Sequence, residues 1–147
     1  MKYSEAKQGR VFIIRLEDGD IVQNCIENFA KEKNIYRAYV QLVGGADKGS
    51  KIITGPKEGR AKKIIPMTEE LDEMHEVVGN GTIIPDENGN PKLHVHLAMG
   101  RNRTTLCGEI RTGVKVWHVM EVIVVELLNS KATRQFDPET GFELLQP

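Results

Sequence analysis

The sequence predicts an α+β fold in which one main α-helix flanks a mostly antiparallel β-sheet. Residues 92–99 alternate between apolar and polar side chains, and residues 114–128 form the most β-prone run of the chain. Only residues 21–33 carry apolar side chains at helical spacing. Turns rich in Gly, Asn and Asp separate consecutive strand segments, as expected of antiparallel hairpins.

Composition indicates an ordinary globular protein. Of the 147 residues, 39% are hydrophobic and 28% are charged, and we expect a single domain over 1–147. A formal net charge of −1 gives no global attraction to nucleic acid. Because no apolar run is long enough to cross a membrane and no secretory leader is recognisable, we expect no membrane association and a cytoplasmic location. Cys25 and Cys107 are then expected to be free thiols.

The first part of the chain predicts a strand, the helix and a second strand. Residues 10–16 are β-branched and apolar, and 21–33 form the helix. Asp20 is the expected N-cap, with Gln23 in the capping-box position, and Asn34 is suited to a left-handed C-cap. A strand over 35–43 should end at Gly44-Gly45, where a sharp bend or a close approach of two backbones is allowed.

The second part of the chain predicts strands joined by turns. The expected strands lie at 51–54, 64–67, 74–84, 93–99, 104–111 and 114–128. Turns are expected at 68–71, 86–90, 100–103, 112–113 and 137–141, and the last of these returns an apolar tail segment to the domain surface. Segments 74–84 and 93–99 should form an antiparallel hairpin.

A His-x-His pattern lies on the strand 93–99. His94 and His96 point to the same face, with roots about 6.6–6.8 Å apart. Two imidazoles at this spacing can bind one ion at about 2.0–2.1 Å from each nitrogen. The alternative is two ordinary histidines on a solvated sheet face.

The turn after this strand predicts a third candidate ligand. If the turn is centred between Arg101 and Asn102, His94 faces Glu109 on the neighbouring strand, and His96 faces Cys107. Two imidazoles and a carboxylate would then form a divalent-ion site that remains open to water. Alternatively, Glu109 only hydrogen-bonds a histidine, and a shift of one residue would turn it to the other face.

The remaining histidines are weaker candidates. His75 begins the preceding strand and is expected about 20 Å along the sheet from the partner of His94. It could join the site through a bulge, a bend of the sheet or a neighbouring subunit. His118 lies beside Trp117 in an apolar strand, where a packed or hydrogen-bonded histidine is more common than a ligand.

Several segments together resemble a known family. They are 10–20, Gly44-Gly45, 75–82, 93–96, 107–109 and 121–124. With this spacing the chain resembles the PPC (plant and prokaryote conserved) domain over nearly its whole length. The resemblance implies a homotrimer of α+β subunits with a fold similar to that of acetolactate decarboxylase. It also implies a stand-alone prokaryotic protein of a group labelled DNA-binding, some members of which hold a metal ion at the His-x-His.

The resemblance extends to individual site residues. His94 and His96 match the family's His-x-His, and Glu109 stands where many members have histidine and some have cysteine. His75-Glu76 matches a pair found in a subgroup of the family, which makes His75 a fourth candidate ligand. Zinc is the expected ion, and the two-histidine, one-carboxylate set also suits iron, manganese or nickel.

Two functions follow as alternatives. The first is a metal-binding homotrimer that acts as a DNA-binding or regulatory module. No AT-hook of the Arg-Gly-Arg-Pro type is present, so DNA contacts would depend on the basic segment 57–63 and on Arg101, Arg103 and Arg111. The second is a metal-dependent enzyme acting on a small anionic molecule, in which Arg101, Arg111 or Glu76 would bind the anion or transfer a proton.

Overall fold

An eight-stranded antiparallel sheet forms the centre of the protein. A computed structural model describes residues 1–111 and 113–147. The strand order is β1-β8-β2-β5-β6-β7-β3-β4. The strands are β1 (Lys7–Glu17), β2 (Ala38–Ala46), β3 (Lys51–Pro56), β4 (Pro66–Glu70), β5 (His75–Pro85), β6 (Pro91–Arg101), β7 (Thr104–Glu109) and β8 (Val116–Leu128). A separate C-terminal hairpin consists of β9 (Thr133–Asp137) and β10 (Phe142–Gln146). The predicted fold class is confirmed.

The one helix of the described residues, α1 (Val22–Glu32), packs on one face of the sheet. It buries Val22, Ile26 and Ala30 against alternate residues of the central strands, which form the core. We call this the core face, and the opposite face the outer face. Glu27 on the helix accepts a hydrogen bond from the backbone N–H of Leu93 at 3.0 Å, which fixes the helix against the start of β6.

The helix ends as predicted but begins differently. Asn34 adopts a left-handed conformation with φ 54°, and the N–H of Ile35 donates to the carbonyl of Ala30. At the other end Ile21 is the N-cap and makes no side-chain cap hydrogen bond. The predicted Asp20 cap is wrong because its carboxylate instead accepts from the backbone N–H of Glu17, in the turn that precedes the helix.

The connection between β3 and β5 tests one of the predicted turns. Residues 68–71 were expected to form a turn, but 66–70 form β4, an exposed edge strand paired with β3. This prediction is wrong because pairing with β3 overrides the low strand propensity of Glu69 and Glu70. The turn predicted at 112–113 includes Thr112, which lies outside the described residues.

Glycines allow neighbouring strands to approach closely. A Cβ on Gly44 would lie 2.5 Å from the carbonyl oxygen of Val119, opposite a bulge in β8, which confirms the predicted close approach. A Cβ on Gly81 would overlap the carbonyl oxygen of His94. Gly81 therefore lets the backbones of β5 and β6 approach closely beside His94 and sets the position of the β6 backbone there.

Candidate metal centre and flanking clefts

The two histidines of the His-x-His lie on the outer face, as their alternation predicts. His96 pairs with Asn80 on one side and with Glu109 on the other, and His94 pairs with Thr82. The odd-numbered neighbours Leu93, Val95, Leu97 and Met99 are buried on the core face. Both imidazoles are thus held by a strand whose other side is anchored in the core.

The predicted register was wrong by two residues. Glu109 pairs with His96 rather than with His94, and Cys107 pairs with Ala98. The β6–β7 turn is centred one residue later than expected, with Asn102 and Arg103 both at positive φ (48° and 68°). Because the shift is even, Glu109 stays on the same face as the histidines.

Glu109 lies between a histidine and an arginine. Its Oε1 lies 3.4 Å from Nδ1 of His94, and its Oε2 accepts a hydrogen bond from Nε of Arg111 at 3.0 Å. The rings of His94 and His96 are 5.2 Å apart, centroid to centroid, and are tilted by 46°. The Glu109 side chain is 16% exposed and that of His94 is 41% exposed, so the carboxylate is the more enclosed group.

The surroundings of His94 favour its neutral form. Partial burial, followed by the positive charge of Arg134, lowers the pKa of His94, although the carboxylate of Glu109 acts in the opposite direction. A neutral imidazole has a lone pair available for a metal ion without first losing a proton.

The donor set can be compared with the geometry of a metal site. Two ligand atoms about 2.1 Å from one tetrahedral ion are about 3.4 Å apart, which equals the separation of His94 Nδ1 and Glu109 Oε1. Within residues 1–111 and 113–147, however, no three His, Cys, Asp or Glu side chains converge closely enough to hold an ion. The separation of His94 Nδ1 and Glu109 Oε1 thus fits a metal site. His96 would have to turn its ring towards these two atoms to complete a set of three ligands.

His75 lies apart from the other candidates. It is buried on the core face, where its Nδ1 lies 2.9 Å from the carbonyl oxygen of Glu73. It is seven residues along β5 from Thr82, the partner of His94, which is about 23 Å at 3.3 Å per residue. The structure thus does not bring His75 to the outer-face pair within one chain.

Of the other residues considered from the sequence, His118 and Arg101 are also separate from the pair. His118 has φ 57° in the β8 bulge, its backbone N–H donates to Asp18, and its ring packs edge-on against Trp117. Nη1 of Arg101 donates to the carbonyl of Met74, so this guanidinium is already engaged in a structural hydrogen bond. Of the candidate basic residues, only Arg111 contacts the site.

The comparisons with known proteins identify the family. The Plants and Prokaryotes Conserved (PCC) domain matches residues 3–128. The chain belongs to the PCC domain family. This confirms the resemblance drawn from the motifs, since PCC and PPC name the same conserved domain.

Solved structures with the PCC fold cover nearly all of the chain. A metal-containing protein from Archaeoglobus fulgidus is 26% identical, covers 100% of both chains and has a TM-score of 0.84. A PPC protein from Pyrococcus horikoshii is 23% identical over 100% of this chain and 98% of its own, with a TM-score of 0.82. A "putative DNA-binding protein" from Bacteroides thetaiotaomicron is 18% identical over 96% of each chain, with a TM-score of 0.76.

A curated relative is much longer than this chain. The bifunctional protein GlmU from Synechococcus sp. (strain JA-3-3Ab) is 25% identical over 137 residues, which is 90% of this chain and 20% of the relative. The chain thus spans about a fifth of that protein's length.

Among the described residues of this PCC protein, no helix combines the length and apolar character needed to cross a membrane.

The hairpin β9–β10 lies outside the matched PCC residues and adds a side chain to the site. Arg134 on β9 reaches the outer face, where its Nη2 donates to Oγ1 of Thr82 at 3.3 Å. Burial lowers the pKa of Arg134, while the carboxylates of Glu109 and Glu143 partly oppose this effect. Sequence reasoning missed Arg134 because a single arginine in a polar tail carries no motif.

Two clefts flank Glu109 beneath the hairpin. The first, about 590 Å³, is lined on the sheet side by His94, Glu109 and Arg111 and on the hairpin side by Arg134 and residues 141–145; we call it the histidine cleft. The second, about 360 Å³, is lined by His96, Cys107 and the β3–β4 region. The two imidazoles thus open into different clefts on either side of one carboxylate.

Proposed function

We propose that this protein is a divalent-metal-binding PCC module that assembles as a homotrimer and acts in DNA-associated regulation. The observation that carries the metal is the separation of 3.4 Å between His94 Nδ1 and Glu109 Oε1, with the ring of His96 beside them. The relative from Archaeoglobus fulgidus, named a metal-containing protein, supports this part of the proposal.

Zinc is the ion that we propose first. Histidine and carboxylate ligands suit zinc at a four-coordinate site, and the same ligands also suit iron, manganese or nickel. His94, His96 and Glu109 would hold the ion, and Arg111 would orient Glu109 through its hydrogen bond to Oε2. His75 would contribute only if it came from a neighbouring subunit.

Elemental analysis of untagged protein tests the metal. After loading with each ion and extensive dialysis, we expect about one ion per chain in the wild type and a large loss in His94→Ala. His118→Ala is the matched control, since this exposed histidine lies outside the site, and it should keep the wild-type content. A wild type without stoichiometric metal under every loading condition would reject the metal centre.

The homotrimer is supported by an apolar patch on the outer face. We call it the apolar patch, and it consists of Val11, Ile13, Tyr39, Val43, Val78 and Ile123, all exposed in the single chain. Ile13 pairs with Ile123 and Val43 pairs with Val78, so these side chains form neighbouring rows across four strands. Contiguous apolar surface of this kind is typical of an interface between subunits.

The DNA-associated role is supported by relatives and by one basic loop. Two of the solved structures with this fold carry the name "putative DNA-binding protein". The loop between β3 and β4 carries four exposed basic residues, Lys57, Arg60, Lys62 and Lys63. A trimer would present three such loops, which would raise the local positive charge despite a net charge of −1 per chain.

A metal-dependent enzyme acting on a small anionic molecule is the second candidate. The histidine cleft beside the proposed ligands favours it, because a metal there would be open to solvent and to small molecules. Water-proton relaxation of the manganese-loaded protein measures whether a coordination position is open. Strong relaxation enhancement supports the enzyme, whereas a closed site without exchanging water argues against it. The similarity to acetolactate decarboxylase remains a prediction.

A further inference from the structure

Arg134 is a half-buried cation without a carboxylate partner in the part of the chain that the structure describes. Its Nη2 donates to Thr82 and its Nη1 lies 3.5 Å from the backbone carbonyl of Glu143, both uncharged acceptors. Its Nε is buried and has no hydrogen-bond partner among the described residues. Over residues 1–111 and 113–147, Arg134 makes no ion pair within 4.0 Å. A cation removed from water in this way is stabilised by an anion.

Two of the acidic groups around the histidine cleft are already engaged. Glu27 accepts from the backbone N–H of Leu93 and from Gln23, and Glu109 accepts from Arg111. Glu143 also lines the cleft, as does Lys92, which makes no ion pair within the described residues. The cleft thus contains an unpaired guanidinium and an unpaired ammonium beside carboxylates that would repel a highly charged ligand.

The remaining walls of the cleft are apolar. Leu93, Phe142, Leu144 and Leu145 line it together with the charged groups. Its volume of about 590 Å³ is within the range of sites for small molecules, about 300–1,000 Å³. A small hydrocarbon group could therefore contact these side chains while its charged end meets the guanidinium.

We propose that the histidine cleft binds a small organic monocarboxylate, with Arg134 of the C-terminal hairpin contacting the carboxylate group. A planar guanidinium matches a carboxylate geometrically, the apolar walls suit a short alkyl chain, and the three glutamates disfavour dianionic phosphate. This inference rests on the proposed function to the extent that His94 and Glu109 would place the bound metal ion at the edge of the same cleft.

Butyrate and inorganic phosphate are suitable probes. Their binding to metal-free protein, freed of chelator by dialysis, is measured by titration with nuclear magnetic resonance at constant ionic strength. We expect butyrate to shift resonances of residues lining the cleft saturably, and to bind more tightly than phosphate. If butyrate causes no saturable shifts, or if phosphate binds as tightly, the inference is overturned.

Variants separate ligand binding from a merely structural role of Arg134. We expect Arg134→Gln to weaken butyrate binding at least tenfold, and the exposed control Arg103→Gln to leave it unchanged. Arg134→Lys keeps the charge but loses the planar fork, so it should bind butyrate severalfold more weakly even if the glutamine variant unfolds. Wild-type affinity in a folded Gln or Lys variant would mean that Arg134 only tethers the hairpin.

The metal centre is tested independently of this inference. If metal-free protein binds butyrate and this binding depends on Arg134, the inference is supported even if elemental analysis finds no ion. Conversely, stoichiometric metal in a protein that binds no butyrate supports the metal centre and overturns the inference. Repeating the titration with zinc-loaded protein should give tighter binding, because the cation adds to the positive charge of the cleft.

Discussion

Replacing Ile13 with aspartate should dissociate the proposed homotrimer. Ile13 lies on the edge strand β1, its side chain points to the outer face, and the residue is 87% exposed in the single chain. Full burial of an isoleucine side chain contributes about 1.5–3 kcal/mol, so burying the exposed fraction contributes about 1.3–2.6 kcal/mol per subunit. Three copies contribute about 4–8 kcal/mol, which corresponds to about three to six powers of ten in the trimerisation constant.

Sedimentation velocity over a range of micromolar concentrations measures this effect. The wild type should sediment as a trimer and Ile13→Asp as a monomer, since the carboxylate also adds a desolvation penalty. Ile65→Asp is the matched control, because Ile65 is 51% exposed but lies in the β3–β4 loop, away from the apolar patch. The reasoning is refuted if the wild type is a monomer at these concentrations, or if Ile13→Asp remains a trimer.

Three further predictions concern stability, the site and DNA. Glu126→Gln should lower Tm at pH 7, because hydrogen bonds from Arg10 lower the pKa of Glu126 and stabilise the folded protein. This stability is present above the ordinary pKa of glutamate, about 4.3, and is lost at lower pH. A difference in Tm that is the same at pH 3 and pH 7 would contradict this. Gly81→Ala should destabilise the protein by about 1–3 kcal/mol in urea titrations, whereas Gly59→Ala, with open space around it, should not; equal effects would disprove the close approach. If the loop 57–63 contacts DNA, replacing its four basic residues with glutamine should reduce the salt dependence of duplex binding by about 0.9 per lost phosphate contact, and an unchanged slope measured by fluorescence anisotropy would exclude the loop.

Alternation along strands was the most reliable predictor of the site. The pattern of 93–99 requires His94 and His96 to share a face, because side chains alternate regardless of the strand's partners. The even register error at the β6–β7 turn moved Glu109 from opposite His94 to opposite His96 and left it on that face. The two wrong predictions had different causes. The Asp20 carboxylate accepts from the backbone N–H of Glu17, three residues earlier, in a local turn that competes with the helix cap. In β4, pairing with β3 overrode the local propensity.

The sequence by itself determined the α+β class, the single helix, the β5–β6 hairpin and the shared face of the two histidines, because these depend on local periodicity and turn chemistry. Only the tertiary structure decided that His75 lies on the core face and that Arg134 comes to lie beside His94. Arg134 is 40 residues further along the chain from His94, and Thr82 on the neighbouring strand accepts its hydrogen bond. No local sequence pattern encodes the proximity of Arg134 and His94, because it depends on how the C-terminal hairpin folds back over the sheet.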